Sequence, residues 1–157
     1  MAVHVVAVGR VRDPGLRAAC DDWARRAGRY VPLHIHEVAE AGRKGPTPAT
    51  SRRLEGERLR GKLPAPATLV ACTRDGRSLD SPAFAKRLER WLAAGRPVAF
   101  LIGGAFGLDP DLVARAETRL ALSAFTLPHE LARAVLLEQL YRAGTILRGE
   151  PYHKGPA

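Results

Sequence analysis

Five apolar residues, Val98 to Ile102, run directly into Gly103, Gly104 and Gly107. A run so short and so uniformly apolar predicts a strand buried on both faces, as parallel sheets require. A second apolar run, Leu120 to Leu127, stops at Pro128 and His129 and opens a long apolar helix. Two strand ends followed by backbone-exposing loops predict one shared pocket, lined by main chain more than by charged side chains. In open α/β sheets ligands sit beyond the carboxyl ends of strands. Gly103 and Gly104 carry no side chain to hold a ligand off, so their N–H and C=O groups can reach it. A planar heterocycle such as adenine fits such a site, held between Leu122, Ala124 and Leu127.

The rest of the chain reads as strands alternating with helices. Val3 to Val8 reads as a buried strand closed by Gly9, and Pro14 to Tyr30 has helical spacing. Val31 to Val38 alternates, with Val31, Leu33 and Ile35 on one face and His34 and His36 on the other. Ala39 to Ala49 reads as a loop carrying Arg43 and Lys44, and Thr50 to Lys62 as a charged helix. Thr68 to Cys72 reads as a short buried strand ending in a turn at Asp75-Gly76. Ser81 and Pro82 read as a helix cap and first residue, with the helix stopping at Gly95. Asp109 and Pro110 repeat that pattern for a helix to about Ala116. Leu120 to Ser123 reads as a strand end, Pro128 to Leu147 as the last helix, and Arg148 to Ala157 as a polar tail. The pattern predicts an α/β domain spanning residues 1–157, with a mostly parallel sheet and helices on both faces.

Charge narrows the partners. Lys and Arg total 25 against 16 acidic residues, a net charge of +9, which favours a polyanion such as nucleic acid. Cys20 and Cys72 stand alone without metal-ligand spacing, so a reduced thiol and no metal are expected. No apolar run spans a bilayer and no signal peptide is seen, which predicts a cytoplasmic protein without membrane contact. The phosphate loop G-x-x-x-x-G-K-[ST], the dinucleotide fingerprint G-x-G-x-x-G, H-E-x-x-H and G-x-S-x-G are all absent. Hydrolase and NTPase readings therefore have no positive support.

Several short segments together carry a resemblance. These are V-A-V-G at 6–9, L-E-R-W at 88–91, L-I-G-G at 101–104, L-S-A-F-T-L-P-H at 122–129, L-Y-R-A at 140–143 and P-Y-H-K at 151–154. In that order and spacing the chain resembles, over nearly its whole length, the SPOUT-class RNA methyltransferases. Within them it is similar to the small bacterial family that N3-methylates a pseudouridine in large-subunit (23S) ribosomal RNA. The resemblance implies a C-terminal deep trefoil knot, a homodimer, and S-adenosylmethionine bound in the knot. It places the cofactor at Cys72, Gly103, Gly104, Leu122, Ser123, Ala124, Phe125, Thr126 and Leu127. It places the chemistry among His129, Arg133, Arg142, Tyr152, His153 and Lys154, with His153 taking the N3 proton, Arg133, Arg142 or Lys154 stabilising the base anion, and His129 shaping the pocket. The chain departs from the family at Cys72, usually leucine, and at Lys154, usually arginine. It implies ribosomal RNA within the large subunit or whole ribosome as partner, and a tail that covers the cofactor. The alternatives are a SPOUT enzyme acting on tRNA and a non-catalytic basic protein of ribosome assembly.

Overall fold

The structure is a computed structural model that describes residues 1–153, of His153 only the backbone. Five parallel strands form one sheet: β1 (Val3–Val8), β2 (Leu33–Val38), β3 (Thr68–Ser78), β4 (Val98–Ile102) and β5 (Thr118–Ala121), in the order β2-β1-β4-β3-β5. Five helices connect and follow them: α1 (Pro14–Ala27), α2 (Pro48–Arg60), α3 (Ser81–Ala93), α4 (Pro110–Arg115) and α5 (His129–Leu147).

Strand residues alternate between two cores, because successive side chains leave a strand on opposite faces. Val5, Ala7, Phe100 and Ile102 pack with Cys20 of α1, Leu88 and Trp91 of α3, and Leu136, Leu137 and Leu140 of α5. Val6, Val8, Ala71 and Leu101 pack on the other face with Leu59 of α2 and Leu112 of α4. The centre of the sheet is thus covered on both sides, as the wholly apolar β4 requires. Phe100 is fully buried beside Phe84 and Trp91; truncating such a ring to alanine costs about 3–5 kcal/mol.

Four helices begin on an oxygen-bearing cap with proline one or two residues later. Asp13, Thr47, Asp80 and Asp109 accept from Leu16, Thr50, Ala83 and Asp111 N–H groups respectively, an arrangement that satisfies first-turn donors. The cap of α3 is Asp80, not Ser81; the Ser81 hydroxyl instead lies 2.6 Å from Gln139 Oε1 on α5. The first helix ends at Ala27, short of Tyr30, because Gly28 closes it. The loop expected from Ala39 to Ala49 holds a 3-10 turn at Gly42–Lys44, and α2 starts two residues early at Pro48.

The largest departure is in β3. The turn expected at Asp75-Gly76 is an arch within a longer strand: Cys72 and Arg77 both register against Leu120, with the intervening residues bulged out. Gly76 makes this possible, since a Cβ there would lie 2.7 Å from the carbonyl carbons of Arg119 and Leu120. Pairing with β3 also moves β5 to Thr118–Ala121, ahead of the expected Leu120 to Ser123. The polar tail turns back as a 3-10 turn, Pro151–His153.

Candidate methyl-donor site

The middle of β3, where its pairing shifts register, and the carboxyl ends of β4 and β5 share one cavity of about 480 Å³. Its walls include Cys72, Gly103, Gly104, Leu122, Ser123, Phe125, Thr126 and Leu127, eight of the nine positions expected to hold a cofactor. Ala124 is not among the lining residues. Ile102, Gly107 and Pro128, which bound the two runs expected to share a pocket, line it as well; Thr73, Arg74, Ala105 and Ala132 were not foreseen, and Ala132 enters only because α5 starts beside the cavity.

The floor is a tight backbone turn. Gly107 N–H donates to the Gly104 carbonyl at 3.1 Å, and Gly107 adopts φ +82°, a region that disfavours side chains. A Cβ on Gly103 would lie 2.5 Å from the Gly107 carbonyl carbon, and one on Gly104 would meet Val8 and Glu55 at 3.1 Å. Behind the turn, buried Glu55 accepts from Ala41 N–H at 3.0 Å. The roof comes from residues 122–127. Phe125 N–H donates to Ser123 Oγ at 2.9 Å, and Arg74 reaches Thr126 Oγ1 at 3.3 Å. Burial pushes the Cys72 thiol up to about 12, so it lines the wall as a neutral small apolar group.

The expected catalytic residues do not all gather here. His129 lines the cavity, with Nε2 4.0 Å from Glu40 Oε1. Arg133 is buried and spent elsewhere: it pairs with Glu37 and donates to the Gly9 carbonyl at 2.8 Å. Arg142 pairs with Glu138, which raises its pKa, and lies 4.8 Å over the Tyr152 ring. Tyr152 packs on Tyr141 and Trp23, with centroids 4.6 and 6.1 Å away. Arg142 follows His129 by thirteen residues on α5, roughly 20 Å along the axis. The chain's own Pro151-Tyr152 therefore sits at the far end of α5, away from the walls of its own cavity. The His153 side chain and Lys154 lie outside the described residues.

Residues 1–153 match the family model described as "Predicted SPOUT methyltransferase". The chain belongs to the SPOUT methyltransferase family. It is 51% identical to the ribosomal RNA large subunit methyltransferase H of Anaeromyxobacter dehalogenans (strain 2CP-C), over 98% of this chain and 100% of that one. It is 49% identical, with the same coverage, to the protein of that name from Gemmatimonas aurantiaca. Among solved structures, a probable methylase family protein from Haemophilus influenzae Rd KW20 superposes with TM-score 0.51 at 15% identity, covering 99% of this chain and 72% of that one. That likeness shares the α/β fold. Among the described residues no cluster of His, Cys, Asp and Glu is arranged to hold a metal. No described helix is long and apolar enough to cross a membrane.

Proposed function

We propose that this SPOUT methyltransferase moves the methyl group of S-adenosylmethionine to N3 of a pseudouridine in large-subunit ribosomal RNA, on assembled ribosomes, as a knotted homodimer. The carrying observation is the backbone-lined cavity where three adjacent strands, β4, β3 and β5, open toward one rim, in a chain about half identical over nearly its full length to large-subunit methyltransferases. When bound, the donor supplies an electrophilic methyl on a sulfonium. The residues present fit it: Gly103 and Gly104 offer main-chain groups, Leu122 and Leu127 offer apolar walls, and the neutral Cys72 thiol adds no competing charge. Alignment is the main contribution such a site makes to an in-line transfer.

The acceptor N3 is an imide nitrogen and gives up a proton as it is methylated. We assign that proton to His153, with Arg142 and Lys154 stabilising the negative charge that develops on the base. His129 shapes the pocket. Arg133 is assigned to anchoring α5, because its guanidinium is buried between Glu37 and the Gly9 carbonyl, whereas Arg142 is partly exposed beside Tyr152 of the tail. Since Arg142 and Tyr152 stand a helix length from the cavity of their own chain, a complete site takes the cavity from one protomer and the tail from the other.

Ribosomes from a strain lacking this activity, incubated with the protein and labelled donor, are expected to gain one methyl on a pseudouridine. A methylated uridine, or methylation of bare tRNA instead, would overturn the assignment. His153→Ala and Gly104→Trp should each be inactive alone and regain activity when mixed and allowed to exchange subunits. Lack of complementation would refute the two-chain site.

A further inference from the structure

A second hollow of about 770 Å³ adjoins the donor cavity, and the two share Cys72, Thr73, Arg74 and Gly107 as common wall. Two of the large apolar side chains exposed on the described surface stand at this double hollow. Phe106 is 51% exposed and lines the second part; Phe125 is 83% exposed and lines the first. A ring left in water gains little from folding, and two beside one opening form a site for something planar and apolar. Three guanidiniums surround them. Arg52 and Arg119 line the second hollow, and Arg74 lines both. Their protein contacts are loose: Arg52 meets the Phe106 carbonyl at 3.5 Å, Arg74 meets Thr126 Oγ1 at 3.3 Å, and Arg119 lies 3.6 Å from exposed Asp75. Glu117 is the other carboxylate in the wall.

We propose that this second hollow seats the unpaired nucleotides that adjoin the target base, with Phe106 and Phe125 stacking on bases and Arg52, Arg74 and Arg119 meeting phosphates. The proposal rests on the ribosomal RNA reading given above. Its chemistry is that of single-strand binding: aromatic faces take any base, and a cationic groove follows the backbone. A base turned into the donor cavity must leave its stack, so its neighbours need new partners of this kind. The net charge of +9 favours the same ligand.

The test is initial-rate kinetics on unmethylated ribosomes with the full-length protein and its Phe106→Leu, Phe106→Trp and Arg119→Gln variants. Donor affinity is measured by calorimetry and mass by light scattering. Phe106→Leu should raise KM for ribosomes about tenfold, the size of one lost base–aromatic stack, with donor affinity unchanged. Phe106→Trp should restore KM. Arg119→Gln should raise KM and lower the slope of log KM against log salt by about one, as loss of one phosphate contact requires. Unchanged KM in both Phe106→Leu and Arg119→Gln, with an active wild type, overturns this proposal alone. A fall in mass to the monomer in Phe106→Leu also overturns it and gives the face to a second copy. A wild type that binds donor but methylates no ribosomal RNA defeats the proposed function, and this inference with it.

Discussion

The Arg133 guanidinium donates to the carbonyl oxygen of Gly9, 2.8 Å away, and so ties the start of α5 to the end of β1. Its other terminal nitrogen is paired with Glu37 beyond β2's centre. Replacing Arg133 with methionine keeps the packing and strands a buried carbonyl, a loss of about 1–3 kcal/mol. Urea unfolding should show that loss, and Arg133→Lys should recover only part of it, because an ammonium lacks the fork that serves two acceptors. Full stability combined with abolished turnover would instead put Arg133 in the chemistry.

Gly76 sets the arch of β3. Adding one methyl in Gly76→Ala places a Cβ against the backbone of Arg119, Leu120 and Ala121, and backbone cannot swing aside as a side chain can. Overpacking of this kind costs about 1–3 kcal/mol. The midpoint of thermal unfolding should fall, and donor binding should weaken because Cys72 and Thr73 lie just upstream. An unshifted midpoint would show that the arch is looser than the contacts imply.

His4 and His36 are expected to lower the protein's stability in mild acid. Their rings stack, with His4 Nδ1 3.1 Å from His36 Nε2. Burial lowers both pKa values, with His34 adding repulsion to each, His36 to His4, and Lys62 to His36. The folded values therefore lie below the unfolded value of about 6.5. The unfolded chain binds protons first, so this contribution is complete above that pH and is lost as pH falls below it. Stability measured against pH should drop through that window, and His36→Gln should flatten the drop. An equal slope in the variant would remove the histidines as its cause.

The Cys72 thiol, pushed up to about 12, should resist alkylation by iodoacetamide at pH 8, since the thiolate is the reactive form. Mass spectrometry of the folded protein should show no adduct on Cys72, with modification appearing after denaturation. Rapid labelling of Cys72 in the native state would show an open wall at the β3 end of the cavity.

Much of the fold was readable because its central strands, β1 and β4, are covered on both faces. Val98 to Ile102 is apolar on both faces, as is Val3 to Val8 apart from His4, and that signal needs no neighbours to interpret. Thr118–Ala121 is different: T-R-L-A becomes a strand through its pairing with β3, which no local pattern records. The order β2-β1-β4-β3-β5 is likewise a product of long-range pairing. At the site, Gly103, Gly104 and residues 122–127 announced themselves as backbone-exposing segments. Arg74 did not, because the turn read at Asp75-Gly76 hid the fact that β3 continues past the cavity. Tyr152 was read into a loose polar tail, yet its packing on Tyr141 and Trp23 depends on two helices far apart in sequence.

Because every strand runs the same way, the two rims of the sheet carry different freedoms. The rim that begins the strands holds connections such as Gly95-Arg96-Pro97, where Gly95 has φ +79° and open space around it. An epitope or a surface-attachment handle inserted there leaves the opposite rim untouched. The same insertion between Gly103 and Gly107 would break the turn that forms the cavity floor. The molecule thus offers a grip at one rim from which the cavity rim can be presented, facing outward, to a bulky partner.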